Sequence, residues 1–259
     1  MTMDNIGDFL RSIKVVDCEL TKIRVGNAND GGYVAYQELC ERSKVVYSAG
    51  IGGDVGFEED WLQRWPKTKF LLFDPNIDDL PPKHRHNGFT LHKLGLGLKW
   101  KPLKKVVADS TLKMDIEWDE YGAFQVMEDE ELQKFSQMLV EFHIVHAETP
   151  ENLSPYFSQF YDNVYSHVNQ DLFAMYLGVM QRLSNWFHIF HIHANNSLPL
   201  VNVEGYIFPP LLEVSFVRKN LVKKVTPTKA NFPIAGLDQP NKTNRPDLLD
   251  WYPFVGESA

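Results

Sequence analysis

The chain has 259 residues, 44% hydrophobic and 23% charged, the proportions of an ordinary globular protein with apolar side chains enough for a sizeable core. A formal net charge of -8, with no basic run beyond Lys223 and Lys224, argues against phosphate-backbone binding, so no nucleic-acid partner is expected. No stretch approaches the ~20 apolar residues of a membrane span, the N-terminus lacks an apolar signal core, and Cys18 and Cys40 form no CxxC, so a cytoplasmic, reducing location is expected.

No linker interrupts the sequence, which reads as one domain over 1–259 with a helical extension at 1–24 and a C-terminal extension or lid at 220–259. Ile6, Phe9, Leu10 and Ile13 are spaced as the apolar face of a short amphipathic helix. Gly26, Asn27, Asn29, Asp30, Gly31 and Gly32 then make a polar turn between apolar runs. That pattern predicts a hairpin or loop, or a loop that approaches a ligand closely.

The stretch from Lys44 to Pro75 reads as strand (Val45, Val46, Tyr47), glycine turn (Gly50, Gly52, Gly53), amphipathic helix, and a second strand (Phe70 to Phe73) ending on Asp74. This is the order of a nucleoside-binding βαβ half: glycines let backbone N–H groups approach a ligand, and the strand-end carboxylate accepts from ribose hydroxyls. A dinucleotide fingerprint would place a third glycine where Val55 stands, and Asp54 and Glu58 put negative charge where a pyrophosphate would sit. Both features count against NAD and favour a phosphate-free nucleoside with an ammonium end, such as S-adenosylmethionine. The plainer reading is an ordinary parallel strand pair with a tight turn.

After Pro75, His84 and His86 fall in a proline-rich polar segment and read as solvated loop residues. Phe89 to Leu94 alternates like a strand and runs into Gly95, Leu96, Gly97. Thr111 to Ile116 is a further strand ending in Asp115, Glu117, Asp119 and Glu120, a crowding that is costly unless solvated or bound to a cation. Glu120 to Lys134 looks helical. On the strand Gln137 to His143, Glu141 and His143 share a face. Leu153 to Trp186 carries apolar residues at helical spacing. Phe187 to His193 is a strand presenting His191, His193 and Asn195 on one face, and Leu211 to Val217 can pair with it antiparallel. From Pro227 the proline-rich tail shows little regular structure.

The predicted fold is α/β: a doubly wound, mostly parallel seven-stranded sheet with one antiparallel strand. Ligands of such sheets bind beyond the carboxyl ends of the strands. Gly50, Asp74, Gly95, Asp115, Glu141, His143 and His193 all lie at such ends and are expected to converge in one crevice.

The segments VGNANDGGYV (25 to 34), VYSAGIGGDVGFE (46 to 58), FDP (73 to 75), GLG (95 to 97), LKMDIEWDE (112 to 120), VEFH (140 to 143) and HIHANN (191 to 196), in this order, resemble the FkbM-like S-adenosylmethionine-dependent methyltransferases, particularly the sugar O-methyltransferases of capsule and viral glycan pathways. The resemblance implies a class I methyltransferase (Rossmann-like) fold, S-adenosyl-L-methionine as donor, and a sugar hydroxyl of a glycan or nucleotide sugar as acceptor. By position it implies Gly50 and Gly52 beside the methionine part, Asp74 on the ribose, Asp30 closing the pocket, and Gly95 also among the cofactor-binding residues. Ligands placed as in metal-dependent relatives would be Asp115, Glu141 and His143, a mixed shell suited to Mn²⁺ or Mg²⁺, with His193 as general base or fourth ligand and Glu117 as a supporting carboxylate. Many relatives have glycine where this chain has Trp118. A homo-oligomer, or a domain of a larger glycan-assembly protein, fits the resemblance. Two other readings stay open: a metal-dependent hydrolase using the Asp/Glu/His cluster, and a catalytically silent nucleoside-binding domain.

Overall fold

In chain order, α1 (Asn5–Ser12) opens the described part of the chain, capped by Asp4, whose carboxylate accepts from Gly7 N at 3.0 Å. After β1 (Val16–Asp17), β2 (Lys22–Gly26) and β3 (Gly32–Tyr36) form the expected hairpin around the polar turn. Next come α2 (Gln37–Arg42), β4 (Val45–Ala49), α3 (Gly56–Arg64), β5 (Lys69–Phe73), β6 (Phe89–His92) and β7 (Ser110–Met114). The computed structural model describes residues 4–97, 106–145 and 170–254. The helix expected from Glu120 to Lys134 is two helices, α4 (Glu120–Val126) and α5 (Asp129–Leu132). Met127 turns extended, and a capping box between Glu128 and Glu131 starts the second.

β8 (Phe135–His143) follows, then α6 (Gln170–Trp186); the remainder of the helical stretch expected from Leu153 lies outside the described residues. The chain continues through β9 (Phe187–Ala194), a small hairpin of β10 (Val201–Val203) and β11 (Tyr206–Phe208), β12 (Leu211–Arg218), and β13 (Thr226–Pro227), which pairs with β1. Past β13 the tail is irregular, but Phe232 and Trp251 are buried in the main core. Among the described residues no helix is long and apolar enough to cross a membrane.

The seven-stranded sheet has the order β6-β5-β4-β7-β8-β12-β9, and β12 is antiparallel to both of its neighbours. This is the predicted doubly wound, mostly parallel seven-stranded sheet with one antiparallel strand. Strand alternation divides the side chains between two faces. Tyr47, Ala49, Met138 and Val140 join the core beneath α1, α4 and α6, whereas Val46, Phe70, Leu72 and Leu139 pack with Trp61 of α3 and Val25 and Tyr33 of the hairpin. Fully burying a side chain such as Phe70 contributes ~2 kcal/mol, and Trp61 keeps its indole N–H satisfied by Thr68 Oγ1 at 3.2 Å. Strand order reverses between β4 and β7, which opens a crevice at their carboxyl ends.

Candidate active site

A cleft of about 390 Å³ occupies that crevice. Its walls hold Gly50, Ile51 and Gly52 from the turn after β4, Asp74 to Asn76 after β5, Gly95 and Leu96 after β6, Asp115 to Glu117 after β7, and Asp30 and Gly31 from the hairpin turn. The sequence-predicted Asp30, Gly50, Gly52, Asp74, Gly95, Asp115 and Glu117 are thereby brought together. Asp74 is buried, and each of its oxygens already accepts one backbone N–H, from Gly52 at 3.0 Å and from Asn76 at 2.8 Å. A carboxylate has about four lone-pair positions, so it keeps acceptor capacity for a diol.

The two leading glycines serve different ends. At Gly50, with φ +74°, a Cβ would lie 1.5 Å from the carbonyl oxygen of Asp115, so this glycine lets the ends of β4 and β7 meet. The close approach expected there is to the chain itself. At Gly52, with φ +52°, a Cβ would meet nothing within 4 Å.

The cleft is strongly anionic. Among the described residues Asp30, Asp54, Glu58, Asp74, Asp115, Glu117 and Asp119 line it, against one ammonium, Lys113. Lys113 is buried and donates to Gly50 O at 2.8 Å. Burial raises the pKa of Glu58, against the opposing effects of Lys113 and of Ser48, whose hydroxyl donates to it. Burial likewise pushes Asp115 up to about 6, with Lys113 and His143 opposing.

One ligand atom each from Asp115, Glu117 and His143 lies within 4.8 Å of the others. His143 Nδ1 faces Glu120 Oε1 at 3.2 Å and its Nε2 faces Glu117 Oε2 at 3.2 Å. Glu120 Oε2 is buried with no hydrogen-bond partner among the described residues. Two carboxylates and an imidazole whose far nitrogen is held by a third carboxylate make a donor set that suits a divalent ion. Without one, burial disfavours the charged ring, but Glu120 and Glu117 outweigh it and push the His143 pKa well above the usual histidine value. Glu117 and Trp118 both have positive φ, +53° and +83°, and the Trp118 ring centroid lies 5.5 Å from that of His143. A left-handed backbone of the kind Trp118 adopts is one that glycine takes up without strain.

Glu141 and His193 are set back from the cleft walls. Register places Glu141 of β8 opposite Glu213 of β12, and Glu213 opposite His193 of β9, so the three stand in one buried row. Asn195 Nδ2 donates to Glu141 at 3.2 Å, and burial followed by the Asp115 charge raises the Glu141 pKa well above its ordinary value. Asp115 and Glu141 are thus neighbours, but the tight three-residue group contains Glu117 in place of Glu141. His193 lies between Glu213 Oε2, 3.1 Å from Nδ1, and Asp247, 3.3 Å from Nε2. Burial opposes its charge, yet the carboxylates prevail and hold its pKa up to about 10. The role of general base or fourth ligand expected for His193 would have to be filled from behind the cleft walls, where both ring nitrogens already face carboxylates.

The HIHANN motif clasps the tail. His191 Nε2 meets Asp238 at 2.7 Å, and the Asn196 amide holds Lys242 O at 3.0 Å, Arg245 O at 3.2 Å and Lys242 N at 2.7 Å. His84 and His86, expected to be solvated, both face Glu59, at 2.8 and 3.3 Å. Sequence reasoning missed Lys113, Glu213 and Asn241. For the first two the signal was present, since a single charge inside an apolar strand (STLKM, LLEVSFV) must find a partner when buried.

No family model and no curated protein matches this chain. Among solved structures it is similar to the plantazolicin methyltransferase BpumL in complex with SAH, at 10% identity and TM-score 0.39, over 67% of this chain and 75% of that one. It is also similar to the fibrillarin/Nop5p complex, at 11% identity and TM-score 0.38, over 78% and 94%, and to the mitomycin 7-O-methyltransferase MmcR, at 9% identity and TM-score 0.32, over 69% of this chain and 50% of that one. At these values no residue role is transferred from them.

Proposed function

We propose that the chain is an S-adenosylmethionine-dependent O-methyltransferase whose acceptor is a sugar hydroxyl of a glycan or nucleotide sugar, assisted by Mn²⁺ or Mg²⁺ at Asp115, Glu117 and His143. The observation that carries this reading is the charge of the cleft: among the described residues, seven carboxylates and one ammonium line a crevice at the reversal of strand order. Such a lining opposes a pyrophosphate and favours a donor carrying a sulfonium and an ammonium. Asp74 accepts from the ribose hydroxyls, and Gly52 leaves room beside it. With the ribose there, the amino-acid end of the donor runs past Gly50 toward Asp30, and the acceptor enters beside Asp115 and Glu117.

Transfer needs an in-line approach of the acceptor oxygen to the methyl carbon and loss of the hydroxyl proton. A divalent ion supplies acidification and orientation of that hydroxyl. Asp115, Glu117 and His143 would hold that ion, and the proton would leave to the water that reaches exposed Glu117 at the cleft wall. Trp118 offers an aromatic surface beside the group for the sugar ring, and the sequence resemblance supports the choice of sugar. Methyl-labelled S-adenosylmethionine with a panel of nucleotide sugars and oligosaccharides tests the reading. Label is expected in a sugar methyl ether, lost with EDTA and restored by Mn²⁺; donor binding without transfer to any hydroxyl compound in the panel would contradict it.

A further inference from the structure

We infer that Asn241, on the C-terminal segment, is a positioning residue of the donor cleft: it holds Asp30 where that carboxylate meets the ammonium of the amino-acid end. The inference rests on the methyl-donor reading above. Asp30 lies at the tip of the hairpin turn, exposed, and lines the cleft with Gly31. Its position is set from outside the hairpin, because Asn241 Nδ2 donates to Asp30 Oδ1 at 3.2 Å. The same amide nitrogen donates to Glu213 Oε1 at 2.7 Å. One NH₂ with two hydrogens thus ties a mobile kind of element, a turn tip, to a buried strand. Glu213 is itself fixed by His193, so the tie ends on a histidine–carboxylate pair inside the sheet.

Asn241 is buried. Its Oδ1 is buried without a hydrogen-bond partner among the described residues. A buried amide that satisfies two carboxylates and leaves its own oxygen unmet is a costly arrangement for a tail anchor alone. Asn196 already anchors the neighbouring residues Lys242 and Arg245. The cost is accounted for if the bridge keeps Asp30 in the wall of the cleft, where an ammonium–carboxylate hydrogen bond adds affinity.

The test compares two probes in the full chain by calorimetry: S-adenosylhomocysteine, which carries the ammonium, and 5′-methylthioadenosine, which lacks it. N241A is expected to weaken S-adenosylhomocysteine about tenfold while changing 5′-methylthioadenosine less than about twofold. In a D30N background N241A is expected to add nothing further. Equal weakening of both probes, no change in either, or a full additional loss in D30N would overturn the inference and leave the donor reading standing. A wild-type chain that binds neither probe would refute the donor reading itself, and this inference with it.

Discussion

Gly50 and Gly52 sit two residues apart in one turn, and substitution should separate their roles. G50A drives a Cβ into the Asp115 carbonyl and is expected to destabilise the fold by roughly 3 kcal/mol or more. G52A, facing open space with φ +52°, should cost about 1 kcal/mol of backbone strain and mainly weaken ligand binding. Urea unfolding checks both; equal losses would contradict the division. His193 carries a pH prediction. Its folded pKa of about 10 lies above the ordinary 6.5, so its contribution to stability is complete below pH 6.5 and is lost as pH rises toward 10. Relative to wild type, H193Q should therefore show a shallower fall in melting temperature between pH 6.5 and 10; parallel curves would show that the ring is not held charged. Strand alternation made the face of His193 legible in the sequence, yet not what covers that face. Its partners Glu213 and Asp247 lie 20 and 54 residues away, beyond any local spacing rule.

At the scale of elements, the local units were legible and the long-range ones were not. The βαβ half from β4 to β5 and the β2–β3 hairpin follow from turn residues and alternation within about thirty residues, and both formed as read. The C-terminal segment offered only composition, and its order comes from the clasp formed by His191, His193 and Asn196. The clasp predicts that N196A, which loses the hydrogen bonds to Lys242, Arg245 and Pro246, costs about 2 to 3 kcal/mol. It should also open the bond after Lys242 to trypsin while the wild type resists. Unchanged resistance would mean that the segment is held chiefly by Phe232 and Trp251.

At the scale of the molecule, the doubly wound sheet gathers strand-end residues from β4, β5, β6 and β7 into one cleft, brings His143 at the end of β8 against Asp115 and Glu117, and sets Glu141, Glu213 and His193 behind it as a buried row. The expectation of a single crevice is thus met by its front half. Glu141 and His193 belong to the row, where they meet the tail. The cleft's charge and the position of Asp74 make the central claim, a sulfonium nucleoside as ligand, directly measurable. Calorimetric titration of the full chain with S-adenosylhomocysteine is predicted to show one site per chain, weakened at least about tenfold by D74A, with no heat from NAD. Absence of binding, or binding indifferent to Asp74, would contradict the account.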